Sequence, residues 1–151
     1  MANEPLLFRV HAIERMARRN IGIEDVRAVL DSGEVIEDYP DDFPYPSALV
    51  LGWVKNRPLH VVVANLVGTG FQKEKTMKCP ICKKGDTALC TTTVTLQRDG
   101  LTLIVKSVPA EVCDNCGEAF VDEKVTAQLL DNVESEARDG SEVNVRHFQA
   151  A

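Results

Sequence analysis

No cysteine occurs in residues 1–76 of this 151-residue chain, and all five lie in residues 77–151. That imbalance excludes a disulfide framework spread over the whole molecule and divides the chain into two chemically different halves. No stretch approaches the roughly 20 apolar residues of a membrane span. Met1–Pro5 carries an acid and no apolar run follows, so neither a signal peptide nor an anchor is expected. Positive charge is also scarce. The first half has 9 basic against 11 acidic residues and the second 8 against 12, which gives the net charge of −6. Bulk charge therefore argues against indiscriminate nucleic-acid binding by either half. A thiol-rich chain without an export signal is expected in the reducing cytoplasm.

What the second half does have is a pattern. Cys79-Pro80-Ile81-Cys82 and Cys113-Asp114-Asn115-Cys116 are two Cys-x-x-Cys pairs separated by thirty residues. Each pair forms a turn presenting two thiolates, and four thiolates suit one tetrahedral Zn²⁺. With every position filled by sulfur, such an ion builds structure and holds no water for catalysis. Cys79, Cys82, Cys113 and Cys116 are thus the expected ligands. A rubredoxin-like iron site has nearly the same spacing. Residues 77–119 contain no aromatic side chain to surround an iron, so zinc is preferred. Cys90 is left over and reads as a buried residue at the start of a hairpin.

The expected fold is α+β. Helices over His11–Arg19 and Ile23–Asp31 carry apolar stripes, with Asn20 and Gly33 as their stops. Strands follow at Glu34–Tyr39, Ala48–Val54 and Leu59–Ala64. The last two are continuous apolar runs expected at the centre of a sheet. This gives a small α-α-β-β-β domain over residues 1–64. Gly68, Gly70 and the charged run Gln72–Thr76 mark a linker at 65–76, and Met77-Lys78-Cys79-Pro80 opens a second domain at 77–151. There, Asp99-Gly100 reads as a type I′ hairpin turn that sets Leu96 opposite Leu103 and Val94 opposite Val105. A helix is expected over Val121–Arg138 with Asp122 as N-cap and Gly140 as stop. The alternating tail Glu142–Phe148 reads as a strand without a partner in its own half.

At these residues a resemblance appears. Met77-Lys78-Cys79-Pro80-Ile81-Cys82, the threonine-rich hairpin and Val108-Pro109-Ala110-Glu111-Val112-Cys113-Asp114-Asn115-Cys116-Gly117-Glu118 resemble the YgiT-type zinc finger of MqsA-family antitoxins. The resemblance covers about residues 77–140. It implies a structural zinc and a domain that masks a toxin ribonuclease. Repressor members carry a helix-turn-helix domain after the finger. The chain ends at Ala151 without room for one, so DNA binding is not expected.

The first half is similar to an uncharacterised domain family encoded beside such antitoxins, on His11-Ala12-Ile13-Glu14-Arg15-Met16, Arg19-Asn20-Ile21, Gly33-Glu34-Val35-Ile36 and Pro58-Leu59-His60-Val61-Val62-Val63. This resemblance implies a RelE/MqsR-like toxin that cuts RNA without metal. Members run on into another strand and a basic tail. Here the glycine linker intervenes, which implies a truncated, silent toxin-like half.

RNA cleavage without metal needs a base and cations for the developing phosphorane charge. His11 with Arg15 or Arg19, and His60, are the candidates in residues 1–76. Each has a plainer reading: His11 as a helix cap or a satisfied surface group, His60 as a core histidine, and Arg15, Arg18 and Arg19 as a charged helix face. Lys73 and Lys75 read as linker charges. The expected partners are the toxin-like half of the same or a homologous chain, a homodimeric copy, or RNA for residues 1–76. Two other function classes stay open. One is a non-catalytic protein-interaction module with a structural zinc. The other is a nucleic-acid-binding zinc ribbon, disfavoured by the −4 charge of its half.

Overall fold

The computed structural model describes residues 5–65 and 77–150. The linker glycines Gly68 and Gly70, with Lys73 and Lys75, lie outside the described residues. The order of elements is β1 (Leu7–Arg9), α1 (Val10–Arg19), α2 (Ile23–Ser32), β2 (Glu34–Tyr39), β3 (Ser47–Val54), β4 (Arg57–Ala64), β5 (Thr87–Arg98), β6 (Leu101–Cys113), β7 (Ala119–Asp122), α3 (Glu123–Arg138) and β8 (Val143–His147). The fold is mixed α+β, with the α-α-β-β-β series followed by strands and a helix around the cysteines.

Local chemistry explains the element ends. Asn20 closes α1 in the left-handed region at φ 56°, and Ile21 N–H returns to Met16 O at 2.9 Å. Asp122 caps α3 by accepting from Val125 N–H at 2.9 Å. Asp99 and Gly100 both have positive φ, as a type I′ turn requires, and the hairpin pairs Leu96 with Leu103 and Val94 with Val105. Lys55 and Asn56 make the same two-residue positive-φ turn between β3 and β4.

Two sheets result. β2-β3-β4 is antiparallel, and β1-β7-β6-β5 forms the second sheet with β8 added beside β6. The helices divide between them. α1 packs on β5 and α3, while α2 packs on β3. Gly52 permits that second contact, because a Cβ there would stand 2.8 Å from Val29 Cγ2. One apolar core joins residues from both ends of the chain: Phe8, Ile13, Met16, Ala17, Ile23 and Val26 pack with the fully buried Val94, Leu96, Leu103, Val105, Leu129 and Val133.

Four expectations change. Val121 belongs to β7, because the cap at Asp122 starts the helix two residues later; Thr126 and Leu130 join Leu129 and Val133 on its buried face. The tail strand β8 has a partner in its own half, running parallel to β6 from Thr102↔Val143 to Lys106↔His147. β4 is an edge strand with alternating burial, and Val62 is 75% exposed. Its continuous valines reflect strand propensity more than two-sided burial. Cys90 is exposed, since Ala88–Thr91 are all uncovered on edge strand β5. β1, only three residues long, was too short for any periodicity to announce.

Candidate metal centre

Each cysteine pair builds its turn in the same way. Lys83 N–H reaches Cys79 O at 3.0 Å, and Gly117 N–H reaches Cys113 O at 3.2 Å. The residue after each second cysteine has positive φ, Lys83 at 65° and Gly117 at 78°. Cys79 N–H is then anchored on Gly85 O and Cys113 N–H on Glu118 O, both at 2.9 Å. The knuckles are near copies, and the long β5–β6 hairpin between them brings Thr87 opposite Cys113.

The four sulfurs lie within 4.8 Å of one another. Cys79 Sγ to Cys116 Sγ and Cys82 Sγ to Cys113 Sγ are both 3.7 Å. A tetrahedron with metal–sulfur arms of about 2.3 Å has an edge of about 3.8 Å, so the set fits a four-thiolate ion. A disulfide needs about 2.05 Å, far shorter. Backbone N–H groups point at the sulfurs: Gly85 to Cys82 at 3.4 Å, and Asn115 and Cys116 to Cys113 at 3.4 and 3.5 Å. Such donors stabilise thiolate charge. The Gly85 hydrogen bond leads the causes that pull the Cys82 thiol down to about 6, while burial pushes Cys79 up to about 12. Cys82 therefore offers a thiolate more readily than Cys79, whose proton a cation would displace.

Sequence reasoning named the four cysteines that cluster here and missed what supports them. Gly85 is the plainest case: a Cβ there would meet Cys113 Sγ at 2.5 Å. Only a side-chain-free residue fits beside the cage. Phe120 packs with Met77, Cys79 and Cys113, and Tyr45 donates its hydroxyl to Lys78 O at 3.1 Å. The cage therefore has aromatic neighbours from outside residues 77–119, and the missing aromatics of that segment do not by themselves separate zinc from iron. The N-terminal segment also reaches the cage. Arg9 pairs with Glu118 beside Cys116, Leu7 packs against the cage core, and Lys83 pairs with Asp42 at 3.2 Å.

The other candidate residues lie elsewhere. His11, Arg15 and Arg19 are exposed along α1, and His60 is exposed on β4 opposite Leu51. Among the described residues no hydrogen bond or ion pair joins His60 to the α1 side chains. The supporting elements also differ, since α1 packs on β5 and α3 while β4 packs on β3 and α2.

Residues 8–69 match the model of a family described as a domain of unknown function, DUF4258. No curated protein and no solved structure matches the chain. Among the described residues no helix is long and apolar enough to cross a membrane.

Proposed function

We propose that this chain is a toxin–antitoxin-type fusion in which a YgiT-like, MqsA-type zinc half holds a RelE/MqsR-like half silent. The units are residues 1–64 and 77–151, joined at 65–76, and one structural Zn²⁺ on Cys79, Cys82, Cys113 and Cys116 stabilises the join. The observation that carries this reading is the pairing of β1 with β7, Leu7↔Asp122 to Arg9↔Phe120. A strand from the first unit is thereby built into the sheet of the second, three residues past the Cys116 knuckle. Attachment within one chain also keeps the inhibitory contact at an effective concentration of about millimolar. In the cytoplasm this arrangement keeps the His11, Arg15, Arg19 and His60 groups apart and unproductive.

The test compares the full chain with its Cys82→Ser/Cys113→Ser variant, expressed in bacteria, with growth and RNA integrity as readouts. The reading expects the intact chain to be harmless and the variant, released from its clamp, to slow growth and cleave RNA. A soluble variant that does neither removes the toxin half of the proposal.

One observation favours a second reading, a non-catalytic interaction module. Trp53 is 69% and Val62 75% exposed on the face of the β2-β3-β4 sheet turned away from α2. A partner or a second copy would cover them. Concentration-dependent size of the Trp53→Ser/Val62→Thr variant against the native chain separates this module from the clamp.

A further inference from the structure

The chain has nine arginines, and the fold sorts them into two groups. Four are spent in ion pairs: Arg9 with Glu118, Arg27 with Glu123, Arg138 with Glu134 and Arg146 with Glu136. The other five, Arg15, Arg18, Arg19, Arg57 and Arg98, have no carboxylate within ion-pair reach among the described residues. These five do not scatter. Arg15, Arg18 and Arg19 occupy the last turns of α1. Arg57, the first residue of β4, donates its Nη1 to Arg19 O at 3.2 Å. Arg98, the last residue of β5, donates its Nη2 to Asn20 Oδ1. Three elements distant in sequence, two from the first half and one from the second, thus deliver guanidinium groups to one end of one helix.

The bland account is too small for this arrangement. A helix C-terminus carries about half a negative elementary charge, which welcomes one cation and not five. Arg15 sits three and four positions before Arg18 and Arg19, a like-charge spacing that weakens a helix. Glu14 and Asp99 are the carboxylates on the same elements nearest in sequence, and neither pairs with any of the five. In a chain of net charge −6, unneutralised cations gathered this way make a local anion site.

We propose that the C-terminal end of α1, with the turns carrying Arg57 and Arg98, is a composite surface that binds single-stranded nucleic acid by its phosphates. The site goes beyond the clamp proposal and does not rest on it. All five side chains are arginines, whose planar forks match phosphate oxygens bidentately. Trp53 and His60 flank the same β3–β4 turn but lie on the other face of the sheet from Arg57, so this surface offers contacts to phosphates and not a platform for bases. The surface exists only when both halves are folded together, because Arg98 comes from the second.

The test is fluorescence anisotropy of the full chain with a labelled uridine or deoxythymidine oligonucleotide of about 16 nucleotides. With single strands each phosphate contact contributes about 0.7 to the slope of log affinity against log salt, so five contacts give about 3.5. Raising salt from about 50 to about 200 mM should then weaken binding about 100-fold. Arg57→Gln/Arg98→Gln should lower the slope to about 2. Arg15→Gln/Arg18→Gln/Arg19→Gln leaves the bonds to Arg19 O and Asn20 in place and should lower it further, which keeps the test valid if the first variant does not fold. Arg138→Gln/Arg146→Gln, which removes two charges elsewhere as the first variant does here, should leave binding as it was. Slopes unchanged by both sets of substitutions, or competition by polyglutamate as strong as by the oligonucleotide, would overturn the proposal.

Discussion

Arg9 and Glu118 meet although 109 positions separate them: Nη2 donates to Oε2 at 3.1 Å and Nε stands 2.9 Å from Oε1. The pair fastens β1 to the residue that anchors Cys113 N–H. It is half-exposed, so its own energy is small, and its value is positional. A double-mutant cycle on Arg9→Ala and Glu118→Ala should give a coupling of about 0.2–1 kcal/mol. Hydrogen exchange at Leu7–Arg9 should quicken in each variant. Unchanged exchange there would show that β1 is held by Leu7 and Phe8 alone.

Gly85→Ala should abolish metal binding at the four-cysteine set, because the new methyl group would stand 2.5 Å from Cys113 Sγ. Competition against a chromophoric zinc chelator measures this directly. Gly100→Ala gives the contrast: nothing lies within 4 Å of its Cβ position, so it costs only the positive-φ strain of the turn and should leave the affinity alone.

Leu96→Ala should destabilise the whole chain by about 3–4 kcal/mol, the cost of emptying a fully buried leucine site. The core that surrounds Leu96 holds Ile13 and Met16 of α1 as well as Leu129 of α3. Thermal unfolding should therefore remain one transition, shifted down, by both tryptophan fluorescence, which reports Trp53, and far-ultraviolet dichroism. Two separated transitions would contradict a shared core.

Glu111→Gln should stabilise the protein increasingly as pH rises above 4.5. Glu111 is buried, and burial raises its carboxyl above the ordinary 4.5, with only the Thr87 hydroxyl at 3.0 Å opposing the shift. A carboxyl raised by folding binds its proton more tightly in the native state, so stability falls as pH rises from 4.5 through the raised value. An amide keeps the hydrogen bond from Thr87 without that charge. The difference between variant and native stability should grow with pH across that window in chemical denaturation. A flat difference would mean that Glu111 is accommodated when ionised.

Much of this was legible because local rules coincided with tertiary ones. Asp99-Gly100 dictated both turn and register, and the paired Cys-x-x-Cys spacing named the four cysteines that cluster. Asn20 and Asp122 marked helix ends by side-chain chemistry. What the chain did not announce is non-local. β1 has three residues, and its pairing is decided by Asp122 and Phe120, more than 100 positions away. β8 pairs with the Thr102–Lys106 end of the β6 edge whose other end, at Glu111 and Val112, pairs with β7. Gly85 and Gly52 look like ordinary glycines until a sulfur or a helix is placed against them. The arginines likewise read as one charged helix face until Arg57 and Arg98 fold onto it.

Four sulfurs within 4.8 Å of one another could hold an ion that would fasten the shared arrangement. Native mass spectrometry of the purified full chain addresses this most directly. The account predicts one bound zinc per chain, absent from the Cys82→Ser/Cys113→Ser variant. A folded chain that carries no metal, or one that carries iron in place of zinc, would contradict it.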